Sequence, residues 1–270
     1  WDPQQTIYVW VDALINYISA IGFGQEEARF QTWWPADLHL IGKDIIKFHC
    51  VIWPALLEAA GLSWPRQIFA HGFFTIDGEK ISKTVGNVID PLAVAQRYGI
   101  DALRYFLFRE IPFGEDGDFS EEKLRGVYNG ELANGLGNLV ARVAALGEKI
   151  SPIAVAFPGD VLPDILKESE NAFRRYERAL EEVRLSEALA EAWRLIGVAD
   201  RYLNETQPRA EHDPEKFRKT VANASYCVST VTNLIRPFLP ETADRIAGQI
   251  SFHDSTVAIK KGEGLFPRLG

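Results

Sequence analysis

The hydrophobic positions fall into two textures along the chain. In the first hundred or so residues, short apolar runs alternate with helix-spaced segments. Residues 6–10, Thr-Ile-Tyr-Val-Trp, form a β-rich run, and residues 11–20 follow with helical spacing. Residues 37–41 make another short strand, closed by Gly42. From 43 to 60 the side chains Ile45, Ile46, Phe48, Val51, Ile52, Ala55, Leu56 and Leu57 recur at helical spacing, with Pro54 placed to kink the run. Residues 67–70 and 73–76 are further strand candidates, and Asp77-Gly78 is a turn pair. Strands alternating with helices predict an α/β fold with a parallel, doubly wound sheet.

Beyond about Pro112 the helical period takes over. Ser120 precedes Glu121 and Glu122 as an N-cap precedes an acidic first turn. Helices are predicted over 120–149, 163–183, 185–206 and 213–236, with a shorter one reaching about 250. Pro152, Pro158-Gly159 and Pro163 punctuate one connection, Pro208 and Pro214 another. The expected division is an α/β part over 1–117 and an all-α bundle over 118–270.

Composition narrows the classes. With 47% hydrophobic and 24% charged residues, wholesale disorder is excluded. No apolar run approaches the roughly 20 residues needed to span a bilayer, so no membrane role is expected. A net charge of −8 argues against a general nucleic-acid coat but leaves room for a local basic surface that reads one RNA. Two distant cysteines, Cys50 and Cys227, make neither a disulfide framework nor a zinc knuckle, which points to a reducing, cytoplasmic compartment. A first residue of Trp1 and a complete lack of Met suggest a piece of a longer chain.

The strongest local signal runs from Glu79 to Pro91, Glu-Lys-Ile-Ser-Lys-Thr-Val-Gly-Asn-Val-Ile-Asp-Pro. Lys80 and Lys83 are interleaved with the hydroxyls of Ser82 and Thr84, after a strand and before a helix. A bare pair of lysines at this spacing fits a solvated loop. That is the ordinary reading of such a pair; the alternative is a loop in which Lys83 presents a point charge to phosphate while hydroxyls add hydrogen bonds, and the sequence in between bears on the choice.

Lys80-Ile-Ser-Lys-Thr84 resembles the KMSKS signature of class I aminoacyl-tRNA synthetases. Gly86 to Pro91 and Tyr98-Gly-x-Asp101-Ala-x-Arg104-Tyr105 fit the same class. Residues 9–17, Val-Trp-Val-Asp-Ala-Leu-x-x-Tyr, are more specific. So are residues 39–54, with His39, Gly42-Lys43-Asp44-Ile45, Phe48-His49 and Trp53-Pro54, and then Ala70-His71-Gly72-Phe73 and Gly264-Leu-Phe-Pro267-Arg268. Together they resemble the methionyl-tRNA synthetase family, from residue 1 to 270. The resemblance covers the second half of a Rossmann-like catalytic domain and the helical anticodon-binding domain. The 270 residues hold no HIGH motif and no zinc-bearing insert.

That resemblance implies activation of methionine by ATP, used as its Mg²⁺ complex, followed by transfer of the methionyl group to tRNA(Met). No zinc is expected in this part, and a separate or preceding N-terminal catalytic half is expected as partner. Catalytic roles fall on Lys80, Ser82 and Lys83, with Lys83 stabilising the departing pyrophosphate. Gly42, Asp44 and Phe74 would lie near the adenosine, together with Lys83. Methionine would meet Trp10, Ala13, Tyr17, Ile45 and His49, an apolar, aromatic set suited to a flexible thioether. Leu14 stands where the family often has proline. Taken alone, Trp10, Tyr17 and His49 read as ordinary core residues; the resemblance shifts the reading to the pocket.

In the helical part, Asn138 and Arg142 lie one turn apart on one face, as donors to base edges would. The resemblance points both at the anticodon. It also sets Arg209 where the family carries a tryptophan on which a base stacks, and a guanidinium plane can stack as well. Two readings follow: part of a methionine–tRNA ligase, inactive in isolation for want of the HIGH-containing half, or a non-catalytic tRNA-binding module descended from one. Retention of the pocket and signature loop favours the first.

Overall fold

The structure, a computed structural model, describes residues 4, 10–76, 78–81, 88–156, 158–253 and 255–270, and for Lys80 the backbone alone. The strand expected over 6–10 lies outside the described residues except for Trp10. Contacts divide the chain into two compact units. One runs through Phe73 and takes in Gly114–Asp116; the other holds Phe74–Phe113 and Gly117–Gly270.

The first unit is mixed α/β. Its elements are α1 (Val11–Ser19), α2 (Glu27–Trp33), β1 (His39–Gly42), α3 (Trp53–Ala59) and β2 (Ile68–His71). Strands β1 and β2 run parallel, with His39 opposite Ile68 and Gly42 opposite His71. Leu14 and Ile18, one turn apart on α1, bury against Phe30, Trp34, Trp53 and Leu57. The single helix expected over 43–60 is three pieces instead. A 3₁₀ turn at Lys43–Ile45 leads to a π-helical turn at Phe48–Ile52, and α3 begins one residue before Pro54. Proline has no N–H to give the preceding turn and its ring crowds the carbonyl four residues back, so the chain widens there and resumes with Pro54 in the first turn. Gly72 is required by packing: a Cβ on it would fall 2.0 Å from the Glu115 carbonyl oxygen.

The second unit opens with β3 (Phe74–Ile76), β4 (Glu79–Lys80), α4 (Pro91–Tyr98), α5 (Ile100–Glu110) and β5 (Gly117–Phe119). Strand β3 pairs antiparallel with β4 and parallel with β5, Phe74 facing Gly117. Asp90 caps α4 by accepting the Leu92 N–H at 2.9 Å, and Gly99, at φ +90°, separates α4 from α5. The next helical run is α6 (Glu121–Val127), a ten-residue π-helical stretch (Tyr128–Gly137) and α7 (Asn138–Gly147), where one helix was expected. Ser120 caps α6 as predicted, accepting the Lys123 N–H. Short β6 (Ile153–Ala154) precedes α8 (Pro163–Glu181), α9 (Leu185–Thr206), α10 (Pro214–Ile235) and α11 (Pro240–Ala247). The chain ends in β7 (Ile250–His253), β8 (Thr256–Ile259) and a tail.

The three long helices α8, α9 and α10 match the expected spans to within about two residues, as strong 3.6-residue periodicity allows. The antiparallel sheet β6–β8–β7 was not foreseen. Leu139, Val143, Leu189, Leu195, Val231 and Leu234 are among the fully buried members of this unit's core. The tail closes on the π-helical stretch. Asn129 donates to the Leu269 carbonyl and accepts the Leu269 N–H, at 3.1 and 3.0 Å, while Phe266 meets the Tyr128 ring edge-on. The parallel pairs β1–β2 and β3–β5 fit the expected α/β beginning, and the rest is a helical domain carrying a small antiparallel sheet.

Candidate functional site

In the first unit, α1 presents Trp10, Ala13 and Tyr17 at spacings of three and four residues, toward the turn that carries His49. The Tyr17 hydroxyl donates to His49 Nε2 at 2.9 Å, and His49 Nδ1 lies 3.1 Å from the Ile45 carbonyl. A carbonyl only accepts, so Nδ1 carries the proton and Nε2 accepts from the phenol. These two contacts fix the orientation of the His49 ring, which is 2% exposed. Burial raises the Tyr17 pKa, which keeps the phenol a donor. Trp10 stacks on Phe48 with ring centroids 4.5 Å apart. Of the five residues expected around methionine, Tyr17, His49 and the Ile45 backbone thus meet directly, and Trp10 stacks on Phe48, the residue before His49. Ala13, exposed beside it, contributes lack of bulk.

His39 belongs to the same cluster, although the sequence reading gave it no role in the site. Its ring lies 4.2 Å from that of Tyr17, and it is 5% exposed. Its Nδ1 has no partner among the described residues. Burial first, and His49 second, push its pKa down to about 4. The signal was a histidine opening a strand, which reads as readily as core.

Gly42 ends β1 and Asp44 sits exposed in the following turn. A Cβ on Gly42 would lie 2.6 Å from Asp44 Oδ1, so the two positions are close by construction. Between them Lys43 bonds both Asp116 oxygens at 2.5 Å and lies 4.7 Å over the Phe73 ring. The Phe73 N–H adds a third bond to Asp116 at 2.8 Å, and the Asp116 pKa is depressed, mainly by Lys43. Nothing in the spacing of Lys43 and Asp116 could have paired them. Phe74, expected at the adenine, is 38% exposed on β3 in the second unit. Ser82 and Lys83 lie outside the described residues, and the Lys80 backbone is in β4.

The second unit brings Asn138, Arg142 and Arg209 to one groove of about 570 Å³, which Asn204 and Gln207 also line. Asn138 and Arg142 come from α7; Arg209 follows α9, whose end is capped by Gln207 in the left-handed region at φ +43°. A non-glycine residue held there costs of order 1–3 kcal/mol and marks a chain direction the surroundings impose. Arg142 Nη1 donates to Asp200 at 2.8 Å and Nη2 to Asn204 at 2.9 Å, which leaves its other N–H groups for a ligand. Burial raises the Asp200 pKa, and Arg142 pulls it the other way. The amide of Asn138 and the guanidinium of Arg209 are exposed and have no partner among the described residues. Asp200 and Asn204, i and i+4 on α9, were the readable sign of a facing polar pair.

Known proteins resemble this chain over most of its length. The family model described as tRNA synthetases class I (M) matches residues 2–144, and that of the anticodon-binding domain of tRNA ligase matches residues 163–262. A methionine–tRNA ligase of Thermotoga maritima is 44% identical over 262 residues, covering 94% of this chain and 41% of that protein. One from Mycobacterium bovis is 40% identical over 285 residues, covering 99% of this chain and 55% of the relative. The solved structure of Mycobacterium tuberculosis methionyl-tRNA synthetase in complex with methionyl-adenylate superposes with a TM-score of 0.88 at 37% identity. It covers 98% of this chain and 57% of that one. The chain spans about half the length of the curated relatives it matches.

Proposed function

The chain belongs to the class I tRNA synthetases of the M type, and from that membership we propose that it supplies the methionine pocket, the signature loop and the anticodon-reading surface of a methionine–tRNA ligase. The observation that carries the reading is the meeting of Asn138, Arg142 and Arg209 in one groove, from places well separated in sequence. The likeness to a structure bound to methionyl-adenylate supports the rest.

The functional division follows 1–117 for the catalytic part, the second half of a Rossmann-like domain, and 118–270 for anticodon binding. In the first step the methionine carboxylate attacks the ATP α-phosphate; an acyl–phosphate bond forms and Mg-pyrophosphate leaves. In the second, the 3′-terminal adenosine of tRNA(Met) takes the acyl group and AMP departs. The aromatic set Trp10, Tyr17 and His49, with Ala13 and Ile45, holds the thioether side chain. Gly42, Asp44 and Phe74 hold the nucleoside. Lys80, Ser82 and Lys83 meet the phosphates, where charge builds as pyrophosphate leaves. Positioning and charge stabilisation supply most of such a rate. These roles suit a protein of the cytoplasm, and no helix among the described residues is long and apolar enough to cross a membrane.

Class I chemistry holds the triphosphate between two motifs, and the 270 residues carry one of them. Methionine-dependent ATP–pyrophosphate exchange is therefore expected to be absent from this chain alone and to return when a HIGH-containing N-terminal half is added. In that complete enzyme, Lys83→Ala should lower the rate of adenylate formation by about 10²–10³ with little change in methionine affinity. A full rate with weakened affinity would refute the role of Lys83. Exchange by the isolated chain at a synthetase-like rate would refute the need for a second half.

A further inference from the structure

A second groove, of about 610 Å³, adjoins the one that gathers Asn138, Arg142 and Arg209. The two share Leu146, Pro208 and Arg209 as lining residues, so a ligand leaving the first at Arg209 enters the second. Their polar groups differ in kind. The first offers an amide and a guanidinium fixed by Asp200 and Asn204, the equipment for reading base edges. The second adds Lys149, from the turn that ends the α7 helical run, and Lys261, from the segment after β8.

Both lysines are exposed, and neither they nor Arg209 has an ion-pair partner among the described residues. Two carboxylates share the groove. Glu211 is turned to its own backbone, accepting the His212 and Asp213 N–H groups at 2.9 and 2.8 Å. Glu148 stands exposed next to Lys149 in sequence. Three unpaired cations thus face two carboxylates, one of them already engaged. In a chain of net charge −8, which repels a polyanion at long range, such a local excess has to act at contact distance. An ammonium suits a group whose position matters and whose identity carries no message, which describes a backbone phosphate. Half-buried Phe217 adds an apolar wall.

We propose that this second groove holds the RNA backbone beside the anticodon triplet, with Lys149 and Lys261 gripping phosphates of the loop. The proposal rests on the anticodon reading of the first groove. Its test uses the 270-residue chain, the double variant Lys149→Ala/Lys261→Ala, and a methionine-tRNA anticodon stem-loop, with affinity measured from 50 to 200 mM salt. Both lysines are exposed, so the variant leaves the core untouched. Two phosphates released from contact flatten the salt slope by roughly 1.4, so the wild type should lose about sevenfold more affinity than the variant over that range. Neutral methylphosphonates placed one at a time through the loop should weaken the wild type at one or two positions next to the triplet and leave the variant unchanged there. Equal slopes, or methylphosphonate losses identical in both proteins, would overturn the proposal while leaving the first groove's role intact. A wild type that binds the stem-loop no better than one with an altered anticodon would instead overturn the anticodon reading, and this inference with it.

Discussion

Arg209 stands exposed at the junction of the two grooves, with no partner among the described residues. If its guanidinium plane stacks on a base, Arg209→Ala should weaken stem-loop binding by roughly 1–3 kcal/mol. Arg209→Trp should then restore it, and Arg209→Lys should behave like the alanine variant, since an ammonium has charge without a plane. Equal affinity of wild type and Arg209→Lys at low and high salt would show a phosphate contact instead. His39 makes a different prediction. Its folded pKa of about 4 lies below the ordinary histidine value of about 6.5, so between those pH values the unfolded chain binds the extra proton. Stability therefore rises with pH across that window and is lost as pH falls through it. His39→Phe keeps a ring against Tyr17 and removes the titration; its urea midpoint should fall less than the wild type's between pH 7 and pH 4.5. An unchanged difference would mean that His39 titrates normally.

Helix α10 illustrates what the termini of an element contribute. Asp213 accepts the N–H groups of Glu215 and Lys216 at 2.9 and 3.3 Å, and Pro214 occupies the first helical position. Asp213→Ala leaves those donors to water and should cost about 1 kcal/mol by urea denaturation, with Asp213→Asn close to wild type. Losses beyond about 2 kcal/mol would mean that Asp213 does more than cap. Two π-helical stretches were read from sequence as ordinary helix, and each adjoins a candidate site: His49 lies in one, and Asn138 follows the other directly. A π-turn rotates the following residues relative to an α-helix, so it resets which face Asn138 and Arg142 share with α9. Gly130, Gly135 and Gly137 in the second stretch weaken the α preference that would otherwise hold a regular register.

The two compact units keep separate buried clusters with no residue in common. Six of the seven tryptophans precede residue 74, while the long helices α8, α9 and α10 lie in the second unit. Tryptophan fluorescence and far-ultraviolet circular dichroism therefore watch different cores. Leu57→Ala, at a side chain 1% exposed, should lower the fluorescence midpoint in urea by the equivalent of about 2–5 kcal/mol and leave the dichroism midpoint in place. Leu195→Ala, also 1% exposed, should do the reverse. If either variant moves both midpoints together, the two cores unfold as one cooperative unit.

Periodicity and local chemistry account for much of this molecule. Leu185–Thr206 and Pro214–Ile235 were legible as helices because each repeats apolar side chains every three to four residues, between proline, Asp or Arg boundaries. Asn138 and Arg142 were legible as a pair because a helix fixes residues four apart on one face. The β6–β8–β7 sheet was not, since Ile153 pairs with Val257 across about a hundred residues and strands of two to four residues carry no period of their own. Nor was the bond between Lys43 and Asp116, the orphaned Nδ1 of His39, or the arrival of Lys149 and Lys261 at a groove beside Arg209. Each joins distant segments whose spacing along the chain says nothing about their distance in space; packing of the intervening helices alone brings them within reach of each other.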